Sequence, residues 1–182
     1  PTNMRKYFMT LIDKEIDFAK KKKPASITLK LNSLVDKSLI EKLQEAATAG
    51  VTIKMIIRSI CCIITKDKKY KQDIKAISIV DEYLEHARVF VFQNAGDPKV
   101  FISSADWMIR NLDHRIETAC PILDKKLKQE LIDILEIQLS GNVKARILDN
   151  EQDNLYVAKK AGEKDVRSQL AIFDYLIKAS EN

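Results

Sequence analysis

Ile27-Thr28-Leu29-Lys30-Leu31, then Leu39-Ile40-Glu41-Lys42-Leu43-Gln44-Glu45-Ala46-Ala47 closing on Gly50, then Val51-Thr52-Ile53-Lys54-Met55-Ile56-Ile57, is the stretch that decides the fold class. In its first part, apolar Ile27, Leu29 and Leu31 alternate with Thr28 and Lys30, the two-residue period of a strand. Leu39, Ile40, Leu43 and Ala47 recur at helical spacing, and Gly50 stops the helix because glycine accepts the left-handed backbone of a C-terminal cap. Val51 to Ile57, rich in β-branched residues, is a second strand. A helix-sized connection is the usual way to join parallel neighbours, so the run predicts an α/β unit.

Upstream, Phe8, Leu11, Ile12, Ile16 and Ala19 mark an amphipathic helix that ends at the Lys20 to Lys23 run and Pro24. Downstream, a lysine-rich loop over residues 66–75 leads to a short helical stretch, Ile77 to Glu85. Val89 to Phe92 and Lys99 to Ile102 read as strands joined through Asn94-Ala95-Gly96-Asp97-Pro98, which suits an antiparallel hairpin. Arg115 to Ile122 is a further strand candidate. Leu127, Leu131, Ile134, Leu135 and Leu139 mark a helix ending near Gly141, and Val166, Leu170, Phe173 and Ile177 mark the last one. Residues 149–163 are polar and read as an irregular connection. With no internal repeat and no domain boundary, residues 1–182 read as one α/β domain.

At 182 residues, 46% of them apolar, the chain can bury one substantial core and is no disordered tail. A formal charge of +5 favours an anionic partner, and fits equally a merely solvated basic surface. No apolar run approaches the roughly 20 residues of a membrane span and no leader pattern opens the chain, so a cytoplasmic location is expected. Cys61, Cys62 and Cys120 lack metal-ligand and C-x-x-C spacing, and are expected to be reduced thiols packed as small apolar residues. The start, Pro1-Thr2-Asn3, has no initiator methionine, as in a piece of a longer protein.

Chemistry-bearing residues gather between Arg58 and Arg115, where both histidines lie. His86-Ala87-Arg88 is expected at a helix-to-strand junction, where a histidine also serves simply as a cation on the helix dipole. Ser103-Ser104-Ala105-Asp106-Trp107 follows the next strand and offers hydroxyls and, if a helix begins there, backbone N–H groups suited to phosphate. Trp107 is expected to anchor that turn by packing its ring into the core.

His86-x-Arg88, a strand, and the Ser103-Ser104-Ala105-Asp106 turn resemble the H-x-K and G-S-x-N elements of the phospholipase D superfamily. Arg88 stands in place of that family's lysine, Gln93 in place of an aspartate and Asp106 in place of asparagine. These departures match the degenerate second motif of polyphosphate kinases, which the chain resembles over essentially its whole length. The matching segments include Leu29-Lys30-Leu31-Asn32-Ser33-Leu34-Val35-Asp36, Tyr83-Leu84-Glu85-His86-Ala87-Arg88, Ser103-Ser104-Ala105-Asp106-Trp107-Met108, Arg110-Asn111-Leu112-Asp113 and Gln169-Leu170-Ala171-Ile172-Phe173-Asp174-Tyr175.

The resemblance implies a phospholipase D-like mixed sheet with helices on both faces, forming the carboxy-terminal half-domain of a longer polyphosphate kinase. It implies reversible transfer of the terminal phosphate of ATP to polyphosphate through a phosphohistidine in an upstream domain. ATP or ADP and Mg²⁺ would be cofactors, with the Mg²⁺ ligands upstream, and the whole enzyme would be a homo-oligomer without a specific nucleic-acid partner. His86 matches the second histidine, a catalytic candidate near the transferred phosphate; an unperturbed imidazole titrates near neutrality and so both donates and accepts protons. Arg58 matches a nucleotide-contacting arginine, whose planar fork holds two phosphate oxygens at once. Arg88, Ser103 and Ser104 complete the candidate ATP- and phosphate-binding set. Ser59 replaces a glycine usual after that arginine, and Thr65-Lys66 replace a Pro-Gly turn.

Arg110 and Arg115 line an anionic channel or pair with Asp113 and Glu117, and both readings stay open. His114 is expected at a strand edge on the surface, and the Lys20 to Lys23 run as a solvated helix end. Two rivals stand beside the kinase: a homodimeric single-motif phosphodiesterase or nuclease of the phospholipase D superfamily, and a non-catalytic polyanion-binding module.

Overall fold

The structure, a computed structural model, describes residues 3–181. Helix α1 (Met4–Lys20) buries Phe8, Leu11, Ile12 and Ile16, and its exposed lysine run lies at the C-terminal end, as expected. Strand β1 (Ser26–Leu31), helix α2 (Lys37–Ala49) and strand β2 (Thr52–Ile57) form the anticipated unit, with β1 and β2 parallel. Asp36 starts α2 by accepting the Leu39 N–H at 3.1 Å. Gly50 ends it at φ +100°, where a side chain would be strained, donating its N–H to the carbonyls of Ala46 and Ala47.

The next element corrects the sequence reading. Residues expected as a helix over 77–85 begin instead as strand β3 (Lys75–Ile79), and residues 80–88 carry no helix. Ala76, Ile77, Ser78 and Ile79 are all buried, which a one-faced helix does not require and a central strand does. β3 pairs parallel with β2 and antiparallel with the three-residue strand β7 (Ala145–Ile147), which the sequence reading placed nowhere. Strands β4 (Val89–Phe92) and β5 (Lys99–Ser103) form the expected antiparallel hairpin, its turn taken by Asn94, Ala95 and Gly96 at positive φ. Short helix α3 (Ile109–His114) precedes strand β6 (Ala119–Ile122), so the strand candidate over 115–122 holds only for its second half. Helices α4 (Lys125–Leu139) and α5 (Ser168–Ser180) follow the apolar spacing.

Among the described residues the strands form one mixed sheet in the order β6-β5-β4-β1-β2-β3-β7. Helices α1 and α2 cover one face over Ile27, Leu29, Ile53, Met55, Phe90 and Phe101. The other face, with Ile56, Ile77, Val89 and Val91, packs on Leu135 and Leu139 of α4, and α5 lies against α4. An aromatic cluster fixes the first face: Phe8 sits 5.0 Å from Phe90 and 5.6 Å from Trp107, ring centre to ring centre. Trp107 is fully buried, as expected, and its carbonyl accepts the N–H groups of Val35 and Asp36, tying the 103–107 turn to the start of α2. No helix among the described residues is long and apolar enough to cross a membrane.

The registers decide where the site forms. Leu31 pairs with Ile57, Lys30 with Val89, Val89 with Ile102, and Ser103 with Ala119. The last residues of β1, β2 and β5 therefore share one end of the sheet with the first residues of β4 and β6. Ligands collect at such an end in α/β sheets, because several loops converge there.

Candidate functional site

At that end Arg58 and His86 are joined by an unbroken chain of hydrogen bonds. Arg58 Nε donates to Asn32 Oδ1 at 3.1 Å. The Asn32 backbone N–H donates to Asp106 Oδ1 at 2.7 Å, and Ser33 N–H reaches the same oxygen at 3.2 Å. Arg88 grips the other side of Asp106, with Nη2 on Oδ2 at 2.8 Å and Nε on Oδ1 at 3.3 Å. Its Nη1 then donates to the His86 carbonyl at 2.9 Å and lies 3.2 Å from His86 Nδ1. A guanidinium can only donate, so Nδ1 accepts and the proton of the neutral ring sits on Nε2. The His86 side chain is exposed, leaving that Nε2–H available to a ligand.

Asp106 is 4% exposed. Burial pushes its carboxyl up, but the Arg88 guanidinium and the amides of Asn32 and Ser33 outweigh that and hold it below the usual range. A neutral asparagine could not balance Arg88 in this way. The Arg88 for lysine and Asp106 for asparagine departures thus form one ion pair, and Arg88 spends most of its donors on Asp106 and His86 rather than facing solvent.

A second cluster supports the segment that carries His86. Lys30, buried in β1, pairs with Glu85 at 2.6 Å. Gln138 of α4 donates to the same Glu85 oxygen at 2.8 Å, and Gln169 of α5 to the other at 2.9 Å. Burial raises the Glu85 carboxyl, yet Lys30, Gln169 and Gln138 leave it net below its ordinary value. Arg58 and residues 79–85 line a cavity of about 440 Å³ next to this cluster.

The remaining candidates separate. Ser103 Oγ donates to the Thr118 carbonyl at 2.9 Å and accepts the Ala105 N–H; Ser104 Oγ bonds Glu117 and accepts the Thr118 N–H at 3.1 Å. Both hydroxyls knit β5 to β6, and helix α3 begins only at Ile109, so no helix N-terminus opens at these serines. His86 is likewise at no helix end, because residues 80–88 form no helix. His114 is the last residue of α3 rather than a strand-edge residue. Asp113 pairs with Arg5 at 2.7 Å and Glu117 holds Ser104 and Asn111, so the expected partners of Arg110 and Arg115 are taken and both arginines are exposed. All three cysteines are free thiols; Cys61 packs against the core as expected, whereas Cys62 and Cys120 are exposed, which corrects the expectation for those two, one lying in a loop and the other on the edge strand β6.

The carboxylates nearest the site are engaged in ion pairs, Asp106 with Arg88, Glu85 with Lys30 and Asp81 with Arg167. Among the described residues no group of three or more His, Cys, Asp or Glu side chains could hold a metal ion. The sequence reading found Arg58 and His86 but not the roles of Asn32, Lys30 and Glu85. The one local signal was a lysine near the end of β1 and an asparagine just after it.

Residues 1–169 match the family model described as polyphosphate kinase C-terminal domain 2. The chain is 50% identical to the polyphosphate kinase of Klebsiella pneumoniae over 97% of its own length and 26% of that protein's. It is 53% identical to that of Vibrio cholerae serotype O1, over 97% and 25% respectively. The chain thus spans about a quarter of the length of the polyphosphate kinases it matches. It superposes on the crystal structure of Porphyromonas gingivalis polyphosphate kinase with a TM-score of 0.94 and 47% identity, covering 98% of this chain and 27% of that one. NucT from Helicobacter pylori, with a TM-score of 0.54 and 15% identity, covers 76% of this chain and 91% of its own. Nuc from Salmonella typhimurium, a phospholipase D family member, scores 0.52 at 13% identity over 74% and 89%. Those two likenesses concern the fold, and they bear out the phospholipase D-like mixed sheet. On the family match and the identity to these kinases, the chain belongs to the polyphosphate kinase C-terminal domain 2 family.

Proposed function

We propose that this domain is the part of a polyphosphate kinase that orients nucleotide and transferred phosphate while a histidine elsewhere in a longer chain carries the phosphoryl group. The reaction is reversible transfer of the ATP terminal phosphate to polyphosphate. The observation that supports it most is the hydrogen-bonded chain from Arg58 through Asn32, Asp106 and Arg88 to His86. Phosphoryl transfer depends on positioned charge more than on covalent help, and this network fixes one cation and one imidazole at the same sheet end.

Arg58 uses Nε on Asn32, which leaves its terminal nitrogens to grip phosphate oxygens. His86 offers Nε2–H to an oxygen of the transferring group, with Arg88 holding the ring. Arg88 serves here as a support for His86, and Ser103 and Ser104 as the clasp that fixes the Asp106 turn. No Mg²⁺ ligand is assigned to this domain.

The test is steady-state ATP-to-polyphosphate kinetics in a full-length enzyme containing this domain. His86→Ala should lower kcat by about 10²–10⁴, the usual loss for a positioned acid–base group. Arg58→Ala should raise KM for ATP as well as lower kcat, because its contact exists in the ground state and strengthens as charge develops. His114→Ala should stay near the parent, since its place at the end of α3 explains it. Near-normal turnover by a well-folded His86→Ala enzyme would overturn the reading. Cleavage of a model phosphodiester by the chain alone would favour the homodimeric phosphodiesterase instead.

A further inference from the structure

We infer that Gln169, Arg167 and Glu85 are positioning residues for His86, so that the α4–α5 layer sets the place of the imidazole from the far face of the sheet. The inference rests on the proposed role of His86, but its geometry stands independently. The segment 80–88 has no regular structure, and its apolar side chains do not hold it: Val80, Tyr83 and Leu84 are 69%, 65% and 71% exposed. Behind it lies a cavity of about 370 Å³ lined by Tyr83, Ala87, Val89, Leu131, Leu135 and Ile172 rather than a packed core. Close packing cannot fix such a segment, so its polar bonds must.

Those bonds come from three elements. Gln169, in the first turn of α5, treats Tyr83 as a strand partner: Tyr83 N–H donates to its Oε1 at 3.0 Å, and its Nε2 donates to the Tyr83 carbonyl at 2.8 Å. The same Nε2 lies 2.9 Å from Glu85 Oε1. Arg167, just before α5, holds Asp81 through Nε and Nη2 and touches Glu82. Lys30 of β1 and Gln138 of α4 fix the second Glu85 oxygen. His86 therefore sits between two anchors, Glu85 before it and the Arg88–Asp106 pair after it. Only one of these belongs to the network that reaches Arg58. A buried lysine inside an apolar strand is costly unless paired, and the pairing explains why β1 carries one at Lys30.

In the full-length enzyme, Gln169→Ala and Arg167→Ala should each lower kcat about 10- to 100-fold while KM for ATP stays within about threefold, as a misplaced group rather than a lost contact does. Arg167→Lys should recover part of the loss. Gln169→Glu should not, because it keeps an acceptor for Tyr83 N–H but has no donor for the Tyr83 carbonyl and brings a like charge to Glu85. Both positions are only partly buried, so the variants should fold; melting temperatures check this. A structural arm uses the 182-residue chain, whose two histidines make imidazole NMR signals simple to assign. The His86 signals should shift or broaden in Gln169→Ala while those of His114 stay put. An unmoved His86 signal with kcat within about twofold of the parent, in an enzyme that His86→Ala inactivates, would refute the positioning and leave the proposed function intact. If His86→Ala itself is active, the functional reading falls and the NMR arm alone decides whether α5 holds the segment.

Discussion

Replacing Asp106 by asparagine removes a charge while changing shape very little, and the structure sets what that should cost. The retained carbonyl can still accept the amides of Asn32 and Ser33 at 2.7 and 3.2 Å. The new amino group, however, faces Arg88 Nη2 where Oδ2 accepted at 2.8 Å, donor against donor. The bond from Nε is long at 3.3 Å and counts for less. One good charge-assisted bond is worth about 1.5–3 kcal/mol. Breaking a buried pair from one side costs about 3–5 kcal/mol when the abandoned charge cannot escape. The side chain of Arg88 is 13% exposed against 6% for that of Asp106, so it can swing partly to water, and the expected loss is about 2–4 kcal/mol. With a urea slope of about 2 kcal/mol/M, that moves the unfolding midpoint of the chain down by about 1–2 M. The pH dependence supplies a second readout. The folded carboxyl titrates below its unfolded value of about 3.9, so its stabilisation is present in full above that pH and is lost as pH falls through the folded value. Asp106→Asn should therefore flatten part of the acid arm of a stability-versus-pH curve below about pH 4 and leave the neutral-pH slope unchanged. A midpoint shift below about 0.5 M, with the acid arm intact, would mean that the ion pair does not hold this end of the sheet.

Two further outcomes are expected. Labelled polyphosphate should bind the chain with an affinity that falls steeply as salt rises, because cations such as Arg58, Arg110 and Arg115 displace condensed counterions; titration at several ionic strengths reads this, and a flat salt response would reduce the +5 charge to a solvated surface. The 182-residue chain alone should make no polyphosphate from ATP, since the proposal places the nucleophile elsewhere, and robust synthesis by it in a direct assay would end that proposal.

The sequence by itself determined the elements whose burial is one-sided or whose ends are chemically marked. α1 and α2 were legible because Phe8, Leu11, Ile12 and Ile16, and Leu39, Ile40 and Leu43, repeat at helical spacing, with Gly50 closing α2. The β4–β5 hairpin was legible from Asn94-Ala95-Gly96 between two apolar runs. Resemblance to known motifs placed Arg58 and His86 in a candidate site. Only the tertiary structure decided β3 and β7. A short apolar run such as Ala76 to Ile79 carries no period that separates helix from strand, and its strand state is paid for by pairing with β2 on one side and β7 on the other. The support of the site was equally out of reach. Asn32 meets Arg58 across 26 residues, Lys30 meets Glu85 across 55, and Asn32 meets Asp106 across 74. Periodicity and capping act over a turn or two of chain, whereas these partners meet because the sheet order puts β1 between β4 and β2 and brings their ends to one place.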